Sequence, residues 1–174
     1  ECTAVKEESS RMEGTPIGRT SIYVARKSDE YTIVVDTHGK LRWQADEADG
    51  HPLLCIVSEE VPEAYLETLR QQGISWIAAG KGRIDLPKAM EALSEHFGVK
   101  RLAIVGGGHI CGGFLEAGLI DEVSIMVAPG IDGRKGQTAV FDGIADTGCN
   151  PFRLKLESVE QWPTDIVWLR YKMK

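Results

Sequence analysis

Leu53-Leu54-Cys55-Ile56-Val57-Ser58 is followed, after Pro62, by Tyr65, Leu66 and Leu69, then by Gly73 and by Ile74-Ser75-Trp76-Ile77-Ala78-Ala79. A continuous apolar run bounded by polar residues predicts a strand buried on both faces. Pro62 stands near the first helical position, the apolar residues after it follow helical spacing, and Gly73 ends the helix. A strand, a helix and a second strand in so short a stretch form a βαβ crossover, which makes the two strands parallel.

The same rhythm continues downstream. Asp85 caps a helix with Pro87 in its first turn, Ala89, Met90, Leu93 and Phe97 form its apolar stripe, and Gly98 ends it. Leu102 to Val105 reads as a further strand running into Gly106-Gly107-Gly108. A helix from about His109 to Ala117 stops at Gly118, and Val123 to Ala128 reads as another strand. Upstream, Ile22 to Ala25 and the β-branched run Tyr31 to Val35 are strands, the second expected to be fully buried. The tail differs. Phe152 to Val159 and Ile166 to Met173 alternate and are joined by Gln161 to Asp165, so an antiparallel hairpin is expected at one sheet edge. The fold class is α/β: a mainly parallel central sheet flanked by helices, closed by a C-terminal antiparallel hairpin. Residues 1–20 are polar, with Gly14, Pro16 and Gly18 as breakers, and read as a loop or a truncated N-terminal segment. Residues 21–174 read as one domain. The chain opens Glu1-Cys2-Thr3 with no initiator Met, so further residues are expected upstream.

Composition narrows the function. The 174 residues are 43% hydrophobic and 26% charged, as in an ordinary globular domain. The balance of 20 Lys and Arg against 26 Asp and Glu, a net charge of -6, argues against binding nucleic acid or anionic membranes. The four Trp are scattered, so no stacking platform for bases is visible. Cys2, Cys55, Cys111 and Cys149 form no C-x-x-C pair, and the four His are scattered too, so no metal site is expected. Cys55 reads as a buried thiol. No apolar stretch nears the ~20 residues of a membrane-spanning helix. A reduced, cytoplasmic setting is expected.

The feature richest in chemistry is Ala103-Ile104-Val105-Gly106-Gly107-Gly108-His109-Ile110-Cys111-Gly112-Gly113-Phe114-Leu115. Glycines let backbone N–H groups approach a ligand, and a helix N-terminus adds unpaired N–H groups and partial positive charge. Three in a row exceed what a tight turn needs, so a pyrophosphate cradle is expected. It is not a dinucleotide fingerprint of the G-x-G-x-x-G type, because Cys111 replaces the third glycine and no acidic residue ends the next strand. No Walker A run exists. Asp36-Thr37-His38-Gly39-Lys40-Leu41-Arg42 follows a strand and reads either as a ribose-phosphate site or as a solvated turn. Ser58 has the same status. Gly80-Lys81-Gly82-Arg83 reads as a surface turn, with an adenine or phosphate contact as the alternative. His109, at a helix start, has a backbone-positioning or ligand-contacting role open to it. No Gly-x-Ser-x-Gly elbow and no Ser-His-Asp or Cys-His set is present.

The stretch Leu102 to Gly133, with its Gly-Gly-Gly loop, its Leu119-Ile120-Asp121-Glu122 segment and its Pro129-Gly130 turn, resembles the reductase domain of bacterial riboflavin biosynthesis. That family, the RibD C-terminal domain, has the dihydrofolate reductase-like fold. Ile33-Val34-Val35-Asp36-Thr37-His38-Gly39-Lys40-Leu41 resembles its first cofactor-binding strand end. The resemblance runs from about Tyr31 to the C-terminus. It implies an NADPH-dependent reductase but not its substrate, for which a pterin-like or ribosylamino-pyrimidine small molecule is the first hypothesis. By the resemblance, Gly106, Gly107, Gly108, His109 and Ile110 hold the cofactor pyrophosphate. Asp36 and Thr37, with Lys40 or Arg42, face the ribose phosphate, and Ser58 lies beside them. The catalytic residues are not implied. The family's N-terminal strand and Gly-Arg-type segment, which help to form the substrate pocket, are expected to precede this sequence. Cys111 stands where relatives more often carry a polar residue. A homodimer is implied too. A dihydrofolate reductase proper and a non-catalytic nucleotide-binding module are the alternatives.

Overall fold

The computed structural model describes residues 5–7, 12–137, 139–145 and 151–174. Cys2 and Cys149 lie outside them. The chain divides into two units, residues 1–102 and 103–174. The first contains β1 (Val5–Glu7), β2 (Ser21–Tyr23), β3 (Thr32–Val35), β4 (Leu41–Trp43), β5 (Glu47–Ala48), β6 (His51–Val57), α1 (Glu63–Gln71), β7 (Ser75–Ala78) and α2 (Leu86–Phe97). β2, β7, β6 and β3 lie side by side in that order, and β5 pairs with the start of β6. The pairs β3–β6 and β6–β7 are parallel, and β2 runs antiparallel to β7. β1 and β4 form a separate antiparallel pair.

The alternation of β6 builds two cores. Leu53, Cys55 and Val57 join Trp76 and Ala78 of β7 under Tyr65, Leu66 and Leu69 of α1. Leu54 and Ile56 join Ile77 and Ala79 under Ala89, Leu93 and Phe97 of α2. The period of two along a strand sends neighbouring side chains to opposite faces, so a sheet covered by helices on both sides needs an unbroken apolar run. Each fully buried Leu or Ile contributes about 1.5–3 kcal/mol. The helix ends follow the expected chemistry. The Asp85 carboxylate accepts the Lys88 N–H at 3.2 Å. Gly98 closes α2 at φ +72°.

Four expectations change. β3 is half-buried, not fully buried, because it is the outer strand of its sheet. Residues 102–105 form no strand: an apolar run supplies side chains to bury but does not choose a ladder partner, and none pairs with it among the described residues. Val105 is 96% exposed. The strand expected at Val123 to Ala128 exists, but it does not extend the parallel sheet. The second unit contains α3 (Gly108–Glu116), β8 (Glu122–Val127), β9 (Leu154–Gln161) and β10 (Val167–Met173). β10 is central there, antiparallel to both β8 and β9. The expected hairpin is present as β9 and β10, but it does not form an edge of the parallel sheet as expected: it pairs with β8 in a three-stranded antiparallel sheet of its own. Among the described residues, no helix is long and apolar enough to cross a membrane. Nor do three His, Cys, Asp or Glu side chains gather among them as a metal ion would need.

Candidate cofactor site

In the first unit, the carboxyl ends of β3, β6 and β7 are stitched together. The Asp36 N–H donates to the Ile56 carbonyl at 2.9 Å. The Thr37 carbonyl accepts both the Ser58 N–H at 3.2 Å and the Ser58 hydroxyl at 2.7 Å. The Glu59 N–H donates to the Gly80 carbonyl at 2.8 Å, and the Glu59 carboxylate accepts the Gly80 N–H at 3.3 Å and the Thr20 hydroxyl at 2.9 Å. Asp36, Thr37 and Ser58 are therefore neighbours, and Ser58 is fully buried as the link between two strand ends.

Asp36 points inward. Its carboxylate accepts the Lys40 N–H at 3.0 Å, the Leu41 N–H at 2.9 Å and the Tyr65 hydroxyl at 2.7 Å, while its carbonyl accepts the Gly39 N–H at 3.2 Å. It is the anchor of the turn from 36 to 42. Gly39 is required at the crown: its φ is +67°, and a Cβ there would stand 3.1 Å from the Tyr65 ring. The Trp43 indole N–H donates to the Tyr65 hydroxyl at 3.1 Å. Lys40 is exposed, and the Arg42 guanidinium reaches back to the Gly39 and Leu41 carbonyls at 3.4 and 3.1 Å. The His38 Nδ1 is buried with no hydrogen-bond partner among the described residues.

Burial pushes the Tyr65 hydroxyl far above its ordinary value, with the nearby Cys55 and Asp36 adding to it. Burial likewise raises the Cys55 thiol, with Asp36 adding again. Both groups stay neutral in the folded state, while the unfolded chain ionises them near their ordinary values of 9.0 and 10.0. Their contribution is whole below pH ~9 and is lost as pH rises further, because the unfolded state then sheds protons that the folded state keeps. The unfolding free energy of the reduced protein, measured by urea titration, is expected to fall from pH 9 upward by about 1.4 kcal/mol per pH unit per ionising group. Removing the thiol with Cys55→Ala should delay the onset toward pH 10. An unchanged onset would show that the thiol does not drive it.

In the second unit, Gly106 takes φ +118° and Gly107, in extended conformation, caps α3. The Gly106–Gly107 peptide is cis. Among the described residues, a Cβ at either position would meet no atom within 4 Å. Gly108 and Gly112 differ. A Cβ on Gly108 would run into the Ala139 carbonyl, and one on Gly112 into the Asp142 backbone. The Asp142 N–H donates to the Gly108 carbonyl at 3.0 Å, so residues 139–142 lie against α3. The Gly107 carbonyl accepts the Ile110 and Cys111 N–H groups at 3.0 and 3.1 Å. The first-turn N–H groups of Gly108 and His109 have no acceptor within the helix. The His109 side chain is 79% exposed, its Nδ1 3.9 Å from an Asp142 carboxylate oxygen. Gly106 and Gly107 thus leave room for a ligand, whereas Gly108 and Gly112 leave room for the chain itself.

The sequence profile of the RibD C-terminal domain matches residues 9–168. The chain belongs to the RibD C-terminal domain family. The match begins upstream of Tyr31, so the kinship includes the polar stretch before β2. The chain is 31% identical over 127 residues to the 2,5-diamino-6-ribosylamino-4(3H)-pyrimidinone 5′-phosphate reductase of Methanothermobacter thermautotrophicus, covering 72% of this chain and 57% of that protein. It is similar in fold to a pyrimidine reductase-like protein of Corynebacterium diphtheriae, at TM-score 0.67 and 20% identity, over 83% of this chain and 61% of that one. It is likewise similar to RibD of Acinetobacter baumannii, at TM-score 0.62 and 20% identity, over 82% of this chain and 37% of that one. The chain thus spans little more than half the length of the curated relative. For this RibD C-terminal domain chain, the sequence reading missed three polar residues. Tyr65 reads in the sequence only as part of an apolar stripe, and nothing local marks Trp43 or Glu59. A hydroxyl on the buried stripe of α1 was the available signal, since a buried hydroxyl needs a partner.

Proposed function

We propose that the chain acts as an NADPH-dependent reductase that reduces a ribosylamino-pyrimidine 5′-phosphate. Family membership and the name of the curated relative support the reaction class. The observation that carries the reading is the open backbone at Gly106 and Gly107 leading into α3. Room for a pyrophosphate at a helix N-terminus is the chemistry such a cofactor requires. In this reading Gly106, Gly107, Gly108, His109 and Ile110 hold the pyrophosphate, with Gly108 also seating residues 139–142. Lys40 and Arg42 face the ribose 2′-phosphate from the turn whose shape Asp36, Thr37 and Ser58 maintain. When bound, the reduced nicotinamide supplies a hydride. The protein's part is orientation and exclusion of water. Residues 21–174 act in this reading as one reductase-type domain of a cytoplasmic homodimer.

Titration of the full protein with NADPH, with NADH as control, is the first test. Saturable NADPH binding is expected, followed by its oxidation when the ribosylamino-pyrimidine phosphate is added. Oxidation with dihydrofolate instead would favour a dihydrofolate reductase. Tight binding with no turnover on either substrate would favour a nucleotide-binding module. No binding of NADPH or NADH would sink the reading.

A further inference from the structure

We propose that Tyr65 is a positioning residue which, through Asp36, sets the preference of the 36–42 turn for a 2′-phosphorylated over an unphosphorylated nicotinamide dinucleotide. This rests on the reading of that turn as the holder of the ribose phosphate. The buried stripe of α1 needs only an apolar side chain at this position, and a phenyl ring would fill it. The hydroxyl does something else. It is the middle of a buried chain in which the Trp43 indole N–H donates to Tyr65 at 3.1 Å and Tyr65 donates to Asp36 at 2.7 Å. Asp36 opens the turn, and Trp43 belongs to β4, the strand that leaves it. One oxygen atom of α1 therefore clamps both ends of the turn. The ring beneath that oxygen supports the crown at Gly39.

The two cations emerge between the clamped ends. The Lys40 backbone is held by Asp36 and the Arg42 backbone lies between Leu41 and Trp43. A cation on a fixed backbone loses less freedom when it meets a phosphate, so the clamp favours the ligand that carries that phosphate. A plain ribose hydroxyl gains little from it. Burial keeps the Tyr65 hydroxyl protonated, hence a donor to Asp36, wherever the protein is folded.

The test is Tyr65→Phe in the full protein, titrated with NADPH and with NADH. The Kd for NADPH should rise about tenfold, while that for NADH changes by less than about twofold. In a Lys40→Ala background, where the charge is already gone, Tyr65→Phe should add little to the loss for NADPH. Equal weakening of both cofactors, or no change in either, would overturn the proposal. Wild-type protein that binds neither cofactor would instead refute the cofactor reading itself. Should Tyr65→Phe fail to fold, Trp43→Phe removes one link and leaves the Tyr65–Asp36 bond. It should shift the NADPH-to-NADH ratio in the same direction, and a ratio equal to wild type would again overturn the proposal.

Discussion

Gly107→Asp is expected to abolish NADPH binding and leave the fold intact. Gly107 is the N-cap of α3, with φ -68° and ψ -174°, a conformation any residue adopts. No side chain caps this helix. Aspartate is among the favoured residues at that position, because its carboxylate accepts first-turn N–H groups. Glycine is itself tolerated at an N-cap, so the substitution changes helix stability by only about a few tenths of a kcal/mol, in the favourable direction, and does not break it. The same carboxylate takes the N–H groups a pyrophosphate would use and puts a negative charge beside it. Like charges brought together at a contact cost several kcal/mol. About 3 kcal/mol is about a hundredfold in Kd. Titration calorimetry with NADPH, alongside circular dichroism, checks both halves. Normal binding by a folded variant would remove the glycine junction from the cofactor site. Gly108→Val is the contrast: its side chain would meet the Ala139 carbonyl, so it should lower stability first.

Asp36→Ala should bring the largest loss of stability among single changes in the first unit's cluster. It leaves the Lys40 and Leu41 N–H groups and the Tyr65 hydroxyl without their acceptor. Each polar group left unpaired in a buried place costs about 1–3 kcal/mol. Water entering at Lys40 recovers part of this, so a net loss of about 3–5 kcal/mol is expected, against a typical total of about 5–15. Urea unfolding measures it. Asp36→Asn, which keeps one acceptor oxygen, should fall between Ala and wild type. If Ala and wild type were equally stable, the carboxylate would not be what holds the turn. NADPH affinity should fall with the turn even where the variant folds.

The reading of Asp36 shows where sequence reasoning stops. An acidic residue just past a strand, beside Lys40 and Arg42, reads equally as a ligand contact or as a turn former. The two differ only in where the carboxylate points. That direction is shared by the nearby Lys40 and Leu41 N–H groups and by the Tyr65 hydroxyl, 29 residues away, and no local pattern reports the last of these. The glycines divide in the same way. Gly106 to Gly108 look equivalent in sequence, yet among the described residues two face open space and the third faces Ala139.

The sequence by itself determined what depends on near neighbours. The apolar run of β6, the stripes of α1 and α2, the Asp85 cap and the Gly98 stop were all legible. Strand alternation, helical period and capping act over a few residues, so they are written locally. The family, carried by a long block of residues in order, was legible too. Only the tertiary structure decided which strands pair. It made β3 an outer strand, put β8 beside β10 and gave residues 102–105 no ladder partner among the described residues. Backbone N–H and C=O groups are the same in every residue, so a strand's partner is chosen by the global arrangement and not by its own side chains.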